Sequence, residues 1–137
     1  IFAEPLRLYP PAWTISREAL HDTEVASLNI TAGTTVVMSQ WVMHRHPKYW
    51  SNPEKFDPDR FLPKNESARP KFAYFPFGGG PRQCIGDQFA WMEGVLVLAA
   101  LLKKFSPELT SPNYVAEIHP MITLRPRGGM PLVLKPV

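Results

Sequence analysis

The sequence predicts a mainly α fold carrying small β hairpins, an α+β class, and three stretches of its 137 residues carry that prediction. Between positions 89 and 102, twelve of fourteen residues are apolar or alanine, which reads as one principal helix from about residue 86 to residue 105. Short runs with many β-branched residues, at 26–30, 34–38, 118–124 and 132–134, stand beside glycine turn signals and read as strands. From residue 47 to 81 the chain is too rich in proline for either element and too rich in aromatics to be disordered.

Taken in order, Glu4 and Arg7 lie three residues apart and share one face of a short first helix. An exposed pair at that spacing is worth only a few tenths of a kcal/mol. The runs 26–30 and 34–38 are expected to form a hairpin through Ala32-Gly33. Ser39 then precedes a short helix through Arg45. In the segment 47–81, Trp50, Phe56, Phe61, Phe72, Tyr74, Phe75 and Phe77 anchor an ordered loop. Within it, residues 63–69 read as a solvated excursion. The principal helix, apolar on nearly all sides, is expected to be buried. It is too short to span a bilayer, and Lys103-Lys104 suits the negative end of its dipole. The runs 118–124 and 132–134 flank Gly128-Gly129 as a second β element.

A chain of this length forms one domain with a modest core, burying roughly two thirds of its unfolded surface. The net charge of +3 comes from scattered lysines and arginines, which argues against a nucleic-acid partner. A single cysteine excludes a disulfide framework and a cysteine-rich zinc site. Cys84 is therefore an inert core residue, a nucleophile, or a ligand to one metal. For a nucleophile, none of His21, His44, His46 and His119 has a recognised spacing to it.

The surroundings of Cys84 suit a ligand, although a lone cysteine beside a helix is more often simply packed. Gly78, Gly79, Gly80 and Gly86 allow positive-φ turns and close approach of something flat. The N–H groups of Ile85, Gly86 and Asp87, at the start of the principal helix, can point at the sulfur and favour thiolate. Arg82 adds a planar cation suited to a carboxylate, and Phe77 offers an aromatic face.

The run Phe77-Gly78-Gly79-Gly80-Pro81-Arg82-Gln83-Cys84-Ile85-Gly86 resembles the haem-ligand loop of the cytochrome P450 family, with Phe77, Gly80, Cys84 and Gly86 in every fixed place. Glu4-Pro5-Leu6-Arg7 resembles that family's Glu-x-x-Arg helix. Phe56-Asp57-Pro58-Asp59-Arg60-Phe61 resembles the loop that supplies a further arginine, with Asp59 where glutamate is commoner. His44-Arg45-His46-Pro47 also fits, with His46 where aspartate is commoner. The resemblance covers essentially the whole chain.

That resemblance implies the C-terminal, haem-binding portion of a single cytochrome P450 domain over residues 1–137. The chain opens on Ile1 at the Glu-x-x-Arg helix, so it is expected to be a fragment. Its oxygen-side helix and any targeting or anchor segment would lie in a missing N-terminal part, and the expected location is cytoplasmic. The implied activity is insertion of one oxygen atom of O2 into an apolar small molecule. A haem-thiolate isomerase, a peroxygenase and an inactive truncated fragment are the alternatives.

The implied cofactor is haem b, with Cys84 as axial iron ligand and with Phe77, Gly78, Arg82, Ile85, Gly86 and Arg17 around it. Electrons would come from NAD(P)H through a reductase, a ferredoxin or a flavodoxin, docking near Lys55, Lys71 and Arg82. Glu4, Arg7 and Arg60 would form a structural cluster. Ala12, Thr14 and Ile122, with neighbouring Met121, would line the substrate cavity.

Overall fold

The computed structural model describes residues 1–137. It is an α+β arrangement of four helices and four two-stranded antiparallel sheets. The first helix, α1 (Ala3–Leu8), is only six residues long, yet five of them are buried. A helix so short is marginal by itself. Tertiary contacts to the proline-rich segment hold it.

The sheets are built as a hairpin nested inside a wider strand pair, twice. Strand β1 (Ile15–Glu18) pairs with β4 (Thr35–Met38), and between them β2 (Thr23–Val25) and β3 (Leu28–Ile30) form their own hairpin. The turn of that inner hairpin is Ala26-Ser27, with φ of 49° and 67°. Two positive-φ residues match the right-handed strand twist even without glycine. The expected pairing of 26–30 with 34–38 is therefore corrected. Gly33, at φ 82°, turns the chain back onto β1, where its N–H bonds Ala19 O at 2.8 Å.

The second unit repeats the plan. Strand β5 (Phe105–Leu109) pairs with β8 (Leu132–Pro136), enclosing the hairpin of β6 (Ile118–Pro120) and β7 (Leu124–Pro126). The runs 118–124 and 132–134 thus belong to different sheets rather than to one β element. Two hydrogen bonds tie the inner hairpin to the chain after α1: Leu124 N–H to Pro11 O at 2.8 Å, and Trp13 Nε1 to Met121 O at 2.9 Å.

Ser39 caps α2 (Gln40–Met43) by accepting the Val42 N–H at 3.3 Å. In the next turn, His46 Nδ1 accepts the Lys48 N–H at 3.2 Å. An aspartate side chain accepts from the backbone two residues on in the same way, so the imidazole here makes the turn an aspartate could make. The helix α3 (Pro63–Glu66) is exposed as expected. Arg69 is not part of any solvated excursion. Its guanidinium lies 4.7 Å from the Trp50 ring and 4.5 Å from Phe61, and donates to Arg60 O. Stacking on aromatic faces stabilises a partly desolvated cation.

The principal helix, α4 (Asp87–Leu102), ends three residues short of Phe105. Pro107 forces the residue before it out of the α region, and β5 then takes up the backbone hydrogen bonds. No residue of α4 is buried, contrary to its apolar pattern. Its one tight join is to α1, where a Cβ on Gly94 would meet Phe2 Cζ at 2.2 Å and Phe2 stands edge-on to Trp91. No helix is long and apolar enough to cross a membrane.

Candidate functional site

Two assemblies of side chains stand out: a buried charged cluster under α1, and an open cavity beside Cys84. In the cluster, Arg7 donates to both carboxylate oxygens of Glu4 at 2.8 Å. Both side chains are fully buried. Arg60 approaches Glu4 at 3.5 Å, and the Asp57 N–H donates to the same carboxylate at 2.9 Å. Arg7 spends its remaining donors on backbone, giving His44 O 2.8 Å and Lys55 O 3.2 Å. A buried ion pair repays its desolvation only when such extra bonds satisfy it. Glu4, Arg7 and Arg60 are thus brought together, and the cluster pins α1 to the proline-rich segment.

That segment leads directly to Cys84. Gly78 and Gly80, at φ 74° and 71°, reverse the chain. Gly78 N–H bonds Phe75 O and Cys84 N–H bonds Phe77 O, both at 2.9 Å. A 3-10 turn (Gly80–Arg82) follows, and Cys84 emerges exposed and unpaired just before α4. A Cβ on Gly86 would lie 3.9 Å from Sγ, so glycine leaves that side of the sulfur open. No N–H of Ile85, Gly86 or Asp87 donates to Sγ. Ala90 N–H bonds Gly86 O instead, and Gln83 Nε2 donates to Asp87 Oδ2 at 2.7 Å.

Cys84 opens onto a cavity of about 750 Å3. Phe77, Gly78 and Arg82 contribute from the same loop, and Ala12, Ile15 and Arg17 face it from the segment after α1. Phe2, Leu6, Ala90, Glu93 and Gly94 complete much of the remaining wall, and nothing in the sequence pattern marked them. Arg17 also borders a second cavity of about 710 Å3, on the side of Val42, Phe72 and Phe75.

Four candidate positions stand apart from the first cavity. Ile85 projects wholly into solvent, and Ile122 is 97% exposed at the tip of the β6–β7 hairpin. Thr14 and Gly86 are not on its wall. Ile85 was expected to act through its backbone N–H, which does not reach the sulfur, and Ile122 was expected from the family resemblance to line the cavity, whereas it stands exposed at the hairpin tip.

The donor set narrows what the cavity can hold. No three His, Cys, Asp or Glu side chains converge on a metal position anywhere in the chain. A metal taken by Cys84 must therefore bring its remaining ligands with it, as the iron of a macrocycle does. The cavity volume lies in the range of small-molecule sites. Arg17 and Arg82 supply the planar cations that carboxylates on such a group require.

Comparison with known proteins points the same way. The family model described as Cytochrome P450 matches residues 1–133. Human Cytochrome P450 4V2 is 38% identical over 135 residues, which cover 98% of this chain and 26% of that protein. A putative cytochrome P450 132 of Mycobacterium tuberculosis is 42% identical over 130 residues, 95% of this chain and 28% of that protein. The crystal structure of the cytochrome P450DA heme domain superposes with a TM-score of 0.90 at 32% identity, over 98% of this chain and 30% of that one. The chain spans about a quarter of the length of the curated relatives it matches.

Proposed function

The chain belongs to the cytochrome P450 family, and from that premise we propose that it supplies the thiolate-bearing side of a haem-thiolate monooxygenase acting on an apolar small molecule. The observation that carries the reading is a lone exposed thiol, held on a glycine loop at the mouth of a cavity walled by two arginines.

When bound, haem would supply an iron for O2 activation, and a thiolate ligand would make that iron more electron-rich. The residues of this chain would hold and orient that group. Cys84 Sγ would be the protein's ligand to the iron. Phe77 and Gly78 shape the loop beside the sulfur, with Gly86 leaving its far side clear. Arg17 and Arg82 would hold the carboxylates of the group through charge-assisted hydrogen bonds. Ala12 and Ile15 put apolar surface at the cavity wall, which fits an apolar substrate and excludes water from its edge.

Lys55 and Lys71 are exposed and give an electron donor an electropositive face. The donor is a reductase, ferredoxin or flavodoxin drawing on NAD(P)H. The proposed location is the cytoplasm.

The test is the reduced, carbon monoxide-bound absorption spectrum of the haem-loaded full-length protein. The strongly red-shifted Soret band of a thiolate-ligated haem is expected, with its complete loss in Cys84→Ala. The same band persisting in Cys84→Ala would overturn the assignment of the ligand.

A further inference from the structure

Resting on the reading of Cys84 as iron ligand, we propose that His44 is a positioning residue for that ligand: its carbonyl accepts from Arg7 of α1 while its imidazole accepts from the backbone N–H of Phe75, from which the Cys84 loop departs.

His44 follows α2, and its side chain is fully buried. Its Nε2 accepts the Phe75 N–H at 2.9 Å. An imidazole nitrogen that accepts carries no proton, so the proton of neutral His44 resides on Nδ1. Nδ1 is buried with no hydrogen-bond partner, and the Leu6 and Arg7 carbonyls favour a proton on the ring. Those carbonyls belong to the last turn of α1, where a helix leaves acceptors free. The ring is held between Tyr74 and Phe75, with centroids 5.1 and 5.3 Å away. Its own carbonyl accepts from Arg7.

What makes this bond matter is its isolation. From Phe75 to Gly86, every other hydrogen bond to the loop backbone comes from within the loop or from α4. His44 is the one side chain from outside that reaches it. The connection runs from Arg7 through His44 to Phe75 N–H, then by Gly78 N–H to Phe75 O, and by Cys84 N–H to Phe77 O. Each link is a single bond of 2.8 or 2.9 Å. The charged cluster thereby sets where the glycine turn begins, and the turn sets where the sulfur ends. Phe77 makes a tilted contact with Trp91 at 6.5 Å between centroids, and Gly78 and Gly79 lie against Ile15 and Phe72, so the Phe75 bond acts together with packing in setting the turn.

The test uses the haem-loaded full-length protein with His44→Phe, which keeps an aromatic ring and removes the acceptor, and His44→Gln, which keeps a donor and an acceptor. Support is a folded His44→Phe protein that retains haem about tenfold less tightly, the loss typical when a partner behind a metal ligand is removed. Its reduced carbon monoxide complex should show a fraction without the thiolate signature, its reduction potential should shift, and His44→Gln should restore all three. If His44→Phe does not load haem at all, His44→Asn carries the same comparison, its shorter amide reaching only one partner. A His44→Phe or His44→Asn protein with wild-type spectrum and potential overturns the proposal while leaving Cys84 as ligand. A wild-type protein without the thiolate signature overturns both readings together.

Discussion

The two ends of the site are built on opposite principles. Around α1 the fully buried side chains are Glu4, Arg7, Gln40 and His44 with Pro10, mostly charged or polar. Along α4, sixteen residues of mostly apolar character include none that is buried. Within these 137 residues the buried core combines that polar cluster with Ala3, Leu6, Leu8, Trp50 and Ala73, while the most hydrophobic helix contributes no buried residue. Apolar composition marks a surface that needs a cover. It does not say that the cover lies in the same stretch of chain. A charged core, by contrast, must be complete where it stands, because one missing partner leaves an uncompensated charge.

Removing Arg7 should therefore break the comparison most severely. Arg7→Ala leaves the Glu4 carboxylate buried with only Arg60, at 3.5 Å, and the Asp57 N–H for company. A loss of about 3–5 kcal/mol is expected from urea unfolding. A loss under about 1 kcal/mol would instead place Glu4 and Arg7 among ordinary surface pairs.

Acidification probes the same core one step further out. Burial pushes His44 down from its ordinary value of 6.5 to about 4, helped by the Arg7 and Arg45 cations, while the Arg7 and Leu6 carbonyls oppose the shift. Between pH 6.5 and about 4 the unfolded chain takes up a proton that the folded one refuses. The stability from His44 is thus full above pH 6.5 and is lost as pH falls through about 4. The whole effect is about 3 kcal/mol. Unfolding midpoints across that window should fall for the wild type and flatten in His44→Gln; equal slopes for the two would assign the acid sensitivity to carboxylates. Tyr74, beside His44, is pushed upward by burial and stays a phenol, free to donate to Ala3 O at 3.0 Å.

Local signals were legible and partner choice was not. The Cys84 loop and the Glu4–Arg7 pair are fixed by residue type and spacing within ten positions, so the sequence could show them. The turn at Ala26-Ser27 has no glycine, and the visible signal at Gly33 drew the pairing to the wrong strand. Nested hairpins defeat neighbour-to-neighbour reasoning in both β units, because residues 19–34 lie between β1 and its partner β4. The cavity wall from Phe2 to Gly94 joins residues too distant in sequence for any motif. His44 was visible only as part of a motif. Its bonds to Arg7 and Phe75 need three separate segments in place at once.

The smallest expected effect sharpens the contrast from the side of α4. Leu96 is 61% exposed there. Replacing it with glutamine removes little buried area from the 137-residue chain and keeps a residue of good helix propensity. Its unfolding free energy should change by less than about 0.5 kcal/mol. In the full-length protein the same substitution should cost more, about 1–3 kcal/mol, if another segment covers this face. Equal small costs in both would show that α4 keeps its apolar side in water. The helix would then owe its place to the Gly94–Phe2 join and its run into β5 alone, and the comparison would become one between a core and a bare strut. Unequal costs would show that α4 obeys the ordinary rule after all, with its burial supplied by a different part of the chain from the one that builds the charged core.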